Sequence, residues 1–309
     1  MLEGVPSWLW ILFTLWAAGC QTARNAMQRG LTSQLGTVGA THVRFLFGLP
    51  FALIFLSVVW LAVDWPVLNF NGAFFAWLLF GALAQIIATA WMLSAMQMRS
   101  FVVATAAIKT EPIQVAVFGA AFLGERIGLL GISAVIIATA GVVLMSWPSA
   151  VTGAAGQPST WRDRWWPLLV GIGAGGVFAL SAVGFRGAIL SLGDAPFYVR
   201  ASTVLACGLA LQSVLLSAWL LWRDRAAFSA ILKAWRPSLL AGLLGAAASL
   251  GWFLAFSVET VSRVRTLALV EVLLAQVVSR KIFSQRTSPA EALGISLIVA
   301  GVVLLLNSS

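Results

Sequence analysis

Charge is scarce in this chain. Only 9% of its 309 residues are Asp, Glu, Lys or Arg, and 61% are hydrophobic. Globular domains carry about 25% charged residues, so these few could not cover a soluble protein of this length. A mean hydropathy of +0.97 points the same way: most apolar side chains are expected to face lipid. Cysteine occurs twice and histidine once. Cys20 and Cys207 both fall inside apolar segments with no metal-ligand spacing, so buried thiols are expected rather than a disulfide. There is no Gly-rich loop ending in G-K-[ST], which argues against nucleotide-driven pumping by this chain. HExxH, G-x-S-x-G, clustered metal ligands and acidic pairs suited to Mg-diphosphate are missing too. Neither an enzyme nor a bound cofactor or metal is expected.

What is abundant is apolar sequence in long runs. At about 20 residues per crossing, ten segments emerge: 7–29, 36–63, 70–98, 101–123, 127–147, 165–190, 195–222, 237–258, 260–283 and 288–307. The net charge of +9 is spread over short loops between these runs, a pattern of membrane orientation rather than of nucleic-acid binding. WAAGC at 16–20 resembles a lipoprotein cleavage box, but no Lys or Arg precedes Arg24, so no processing is expected there.

The stretch 148–163, containing Gly, Pro and Ser, divides the chain nearly in half and prompts a search for repetition. An offset of 160 aligns Glu111 with Glu271, Arg126 with Arg286, and AGVVL at 140–144 with AGVVL at 300–304. A slightly smaller offset aligns Arg29-Gly30 with Arg186-Gly187 and Val43-Arg44 with Val199-Arg200. The order of these matches is collinear, which favours duplication. The halves are 1–150 and 164–309, joined by a linker at 151–163. Five spans per half is an odd number, so the second half enters the membrane inverted. The expected fold is an all-α membrane protein: ten transmembrane helices in two inverted five-helix repeats around a central cavity.

With the N-terminus outside, one side collects Arg24, Arg29, Arg99, Arg162, Arg164, Arg223, Arg225, Lys233, Arg236, Arg280, Lys281 and Arg286. The other holds Arg126, Arg186, Arg263 and Arg265. The positive-inside rule then puts both termini on the outer, periplasmic side. Trp8, Trp60, Trp65, Trp147, Trp222 and Trp235 sit at segment boundaries, where amphipathic rings anchor.

Glu111-Pro112 inside the fourth span, the FLGER turn at 122–126 and the Gly-rich fifth span ending in AGVVL resemble the drug/metabolite transporter superfamily, in its ten-span EamA-type branch. Echoes around Glu271 and 294–304 extend the likeness to nearly the whole chain. Val272 stands where Pro112 would repeat, and SQR at 284–286 replaces GER, so the ninth span is expected to be less kinked. The resemblance implies a transporter of small metabolites, commonly an exporter in the bacterial inner membrane. Within the branch, the chain looks most similar to exporters of aromatic and other neutral amino acids. The implied partners are a zwitterionic or amphipathic small molecule and the bilayer, with a monomer expected and no nucleic acid.

Ionisable groups inside spans are expensive and mark functional positions. Lys109 and Glu111, two apart on a helix, point to different faces and cannot simply pair. Pro112 removes a helix hydrogen bond and is expected to kink the span. A substrate with its own ammonium and carboxylate could use Lys109, Glu111 and Glu271. The alternative is that Lys109 snorkels or pairs with Glu271 while Glu111 locks helices together. Gln21 and Asn25 share one face of the first span. Gln85, Thr89 and Trp91 lie on the third, and Trp252 on the eighth; they either line the cavity or pack. His42 and Arg44, with Tyr198 and Arg200 at the matching place in the second half, are candidate gates or, alternatively, the two arginines simply snorkel. Other cargo compatible with the same architecture is drugs, nucleotide sugars or sugar phosphates. A polytopic enzyme or receptor would need clustered catalytic groups or soluble domains, which the sequence lacks.

Overall fold

The computed structural model describes residues 6–63, 67–95, 107–146, 161–273 and 289–308. Every described element is a helix: α1 (Leu9–Leu46), α2 (Leu49–Leu61), α3 (Gly72–Ala95), α4 (Glu111–Leu123), α5 (Leu129–Ser146) and α6 (Trp161–Leu190). The second part of the chain adds α7 (Phe197–Arg223), α8 (Arg225–Lys233), α9 (Trp235–Val258), α10 (Val261–Leu267) and α11 (Pro289–Leu306). Arg99, Trp65, Trp147, Arg280, Lys281, Arg286 and most of the linker lie outside the described residues. Five described helical stretches are long and apolar enough to cross a membrane: 30–61, 72–95, 169–191, 197–223 and 235–258. Shorter apolar helices cover 111–123, 129–144 and 292–306.

The first two expected spans are parted by backbone chemistry rather than by a polar loop. α1 is interrupted at Gly36, with φ 68° and ψ 176°, a conformation that glycine adopts without a Cβ penalty. Gln28 reaches across this bend and donates from Nε2 to the Ala40 carbonyl at 2.9 Å. Buried backbone polar groups need such partners.

The chain forms two compact units, each drawing on both halves of the sequence: Met1–Ile86 with Ser181–Glu259, and Ile87–Leu180 with Thr260–Ser309. In the first, α1 packs along α9, and α2 and α9 along α7. Glycines set the approach. A Cβ on Gly251 would meet Ala17 and the Phe13 carbonyl at 2.9 and 3.0 Å, and one on Gly184 would meet the Gly81 backbone at 2.7 Å. Small residues of this kind allow close helix contact where lipid supplies no hydrophobic drive.

In the second unit α4 packs on α10 and α5 on α11. A Cβ on Gly141 would strike the Gly294 carbonyl and the Ile298 amide, and one on Gly301 would strike Ala138 and the Ala134 carbonyl. Residue numbers along α5 rise as the facing numbers on α11 fall, so the two helices run antiparallel. Ala138, Val142, Leu269 and Ile298 form the buried apolar core beside this pair.

Candidate functional site

The fourth and ninth segments are both broken at their glutamates. Residues 107 and 108 are helical, Lys109 and Thr110 form a turn, and α4 starts at Glu111. In the second half α10 stops at Leu267, Ala268 and Leu269 turn, and helix resumes before Glu271. Short i→i+3 bonds close the backbone at each break: Thr110 N to Ala107 O at 3.1 Å and Glu271 N to Ala268 O at 2.9 Å. Two expectations are thereby corrected. Pro112 does not kink a continuous helix; it occupies the first turn of α4, where its missing N–H has no intrahelical acceptor to lose. The second-half segment is not straighter for having Val272 in place of proline, because the break recurs without it. What the two breaks share is the acid.

Each acid is held by a base from the other half of the chain. Lys109 Nζ pairs with Glu271 Oε1, and Arg265 Nε lies 3.2 Å from Glu111 Oε1. The four charges sum to zero. The Lys109 side chain retains 24% exposure, whereas Glu271 retains 9%. The cluster is thus largely desolvated but open at the lysine. The Lys109–Glu271 pairing was one of the two alternatives the sequence left open. Arg265 was not singled out, because an arginine six residues before an acid carries no local signal of pairing with a third residue in another helix. Leu269, the 160-offset counterpart of Lys109, is 2% exposed in the apolar core, so the lysine has no charged mate.

Neighbouring polar groups complete this part of the second unit. Gln114 donates from Nε2 to Thr110 Oγ1 at 3.1 Å and to the Ile172 carbonyl at 3.3 Å. Gly175 and Gly176 of α6 leave the space it occupies, and a Cβ on Gly175 would sit 2.9 Å from the Ile108 carbonyl. The FLGER turn has a structural role. Gly124 caps α4 in the left-handed conformation, φ 65° and ψ 21°, which favours glycine. Glu125 then folds back over Gly119 and accepts the Val261 N–H at 3.3 Å, anchoring the start of the helix that carries Arg265. In this unit Thr89 is fully buried and Trp91 lies over Gly173 with 45% exposure.

The remaining sequence candidates belong to the first unit. Trp252 Nε1 donates to Gln21 Oε1 at 3.1 Å, joining α9 to α1. Asn25 accepts from Arg24 Nη2 at 2.7 Å. Gln85 accepts from Gln212 Nε2 at 2.9 Å in a narrow crevice lined by Phe185, Leu205, Ser249 and Phe253; Gln212 was not singled out from sequence. His42 Nε2 and Ser217 Oγ are 3.0 Å apart. His42 and Arg44 are buried. Arg200 is likewise buried, and Tyr198 is exposed.

An all-helical fold with several membrane-length apolar helices defines a multi-pass membrane protein. Residues 8–147 match the EamA-like transporter family. A solved crystal structure is similar over 98% of this chain and 97% of its own, with a TM-score of 0.64 at 14% identity. That likeness is one of fold. Comparison with curated proteins gives no match.

Proposed function

We propose that the whole chain is an EamA-type secondary transporter or facilitator that exports small zwitterionic metabolites. Aromatic and neutral amino acids are its cargo class in this reading, moved across the bacterial inner membrane by alternating access. The observation that carries the cargo class is the neutral cluster of Lys109–Glu271 and Arg265–Glu111. An ammonium entering this cluster can take over a carboxylate, while the cargo's own carboxylate takes the base released. The exchange leaves no uncompensated charge, which in a desolvated site costs several kcal/mol. A sugar phosphate, by contrast, would bring surplus negative charge to a cluster with no surplus cation.

Ten spans in two inverted repeats, 1–150 and 164–309 about a 151–163 linker, supply the moving parts in this reading. Support comes from α5 and α11, which occupy positions offset by 160 and pack antiparallel. Homologous helices running in opposite directions are what inversion in a membrane requires. The broken segments at Glu111 and Glu271 are likewise the discontinuous helices on which such transporters build sites. The distribution of basic residues supports putting both termini in the periplasm.

The test is flux in liposomes containing the purified chain, over a panel of labelled amino acids, with and without an imposed pH gradient. Down-gradient movement of neutral amino acids that sugar phosphates fail to compete supports the reading. No flux of any amino acid, or competition by sugar phosphates alone, overturns it.

A further inference from the structure

The segment between α7 and α9 has a composition and placement that transport chemistry does not use. α8 is nine residues long and clearly two-faced. Phe228 and Ile231, three apart, turn inward. Ile231 is fully buried beside Gly39, and the Phe228 ring lies 6.1 Å from that of His42. Arg225, Ser229, Leu232 and Lys233 face outward and are exposed. Arg223 and Arg236 extend the basic character on either side, and both are exposed. Beside these four cations stand three large, exposed apolar side chains: Trp222 at 83% exposure, Leu232 at 48% and Trp235 at 48%, the last with the Arg236 guanidinium 5.4 Å from its ring centroid. Asp224, the one acid between 221 and 236, is engaged in capping: its Oδ1 accepts the Ala227 N–H at 2.9 Å.

Both neighbours of α8 are membrane-length apolar helices, so the short helix lies where they leave the hydrocarbon. We propose that α8 and its flanks form a binding surface for anionic phospholipid headgroups. The cations meet the headgroup phosphates, while Trp222, Leu232 and Trp235 enter the boundary between headgroups and acyl chains. An acidic soluble partner would satisfy the cations but would leave two exposed tryptophans and a leucine unexplained. A basic, aromatic-flanked amphipathic helix at this depth matches lipid on both counts. Because its inner face packs on the part of α1 that follows the Gly36 bend, bound lipid also braces that helix.

The purified full-length protein in neutral detergent is titrated with short-chain phosphatidylglycerol or phosphatidylcholine of the same acyl length. Bound lipid is counted by native mass spectrometry, and thermal unfolding is followed in parallel. Wild type is expected to retain phosphatidylglycerol selectively and to show a higher Tm with it than with phosphatidylcholine. Arg225→Gln/Lys233→Gln is expected to weaken phosphatidylglycerol binding by roughly tenfold or more, at about 1 kcal/mol per cation, with an unchanged Tm in phosphatidylcholine. Arg126→Gln, an exposed cation elsewhere, is expected to behave as wild type. Equal retention of the two lipids by wild type, or undiminished phosphatidylglycerol selectivity in the double variant, overturns the proposal. So does an equal loss in Arg126→Gln.

Discussion

Gly141 and Gly301 occupy reciprocal places in the α5–α11 pair: each faces the residues that correspond, at an offset of 160, to those its counterpart faces. Gly141 meets Gly294 and Ile298, and Gly301 meets Ala134 and Ala138. The contact is therefore reciprocal, as in an isologous interface, although both helices belong to one chain.

Substituting either glycine tests that reciprocity. A Cβ at Gly141 would come within 2.7 Å of a carbonyl, and one at Gly301 within 2.7 Å of a backbone amide. Main chain cannot rotate aside as a side-chain tip can. Gly141→Leu and Gly301→Leu are each expected to destabilise the fold by about 1–3 kcal/mol or more, the usual range for overpacking. Thermal unfolding in detergent measures this, and the two penalties should be alike. A severe effect at one position and none at the other would contradict the reciprocal contact.

The crossed ion pairs predict a pattern of rescue. Lys109→Ala leaves Glu271 nearly buried without its cation, and Glu271→Gln leaves a partly exposed lysine. The first is expected to destabilise by about 3 kcal/mol and the second by less, since breaking a buried pair strands the more deeply buried charge. Lys109→Met/Glu271→Gln is expected to recover much of the loss, because no charge is stranded. The coupling is read from a double-mutant cycle of unfolding free energies; strict additivity would mean that the pair does not interact. In the flux assay the double variant should remain impaired even where stability returns. That separates a site from a mere staple.

Much of the fold was legible in the sequence because long apolar runs can only be read against lipid. The bend at Gly36 falls on the first residue of the second expected span, 36–63. The glutamates were legible as well, since an acid in an apolar run stands out. Their partners were not. Arg265 reads locally as a loop cation, and only the packing of α10 on α4 brings it to Glu111. Pro112 misled for a related reason: a proline inside an apolar run signals either a kink or a start. The turn at Lys109 and Thr110 decides for a start, and its counterpart at Ala268 and Leu269 shows that proline is not needed for the break.

It follows that Pro112→Ala should be mild. The residue is at the start of α4, so alanine neither creates nor removes an internal hydrogen bond. The change acts mainly by loosening the unfolded chain, at about 0.4–1 kcal/mol. Lys109→Ala, which removes a charge of the cluster, should reduce flux far more. Near-equal loss of flux in the two variants would assign the proline a role that its position does not support.

The FLGER turn offers the most remote handle on the cluster. Glu125 is a member of neither the Lys109–Glu271 nor the Arg265–Glu111 pair, but its carboxylate holds the Val261 N–H four residues before Arg265. Glu125→Ala removes that acceptor, and loss of an N-terminal cap typically costs about 1 kcal/mol. A looser α10 places Arg265 less well against Glu111, so the expected signature is a reduced coupling energy between Arg265 and Glu111 in a double-mutant cycle run on the Glu125→Ala background. Glu125→Gln keeps an acceptor oxygen and should restore most of the coupling. If Glu125→Ala lowers overall stability while leaving the Arg265–Glu111 coupling at its original value, the turn supports the helix end without positioning the arginine. Gly124→Ala gives the companion measurement: it strains the left-handed cap by about 1–2 kcal/mol, and it should reduce the same coupling by displacing Glu125.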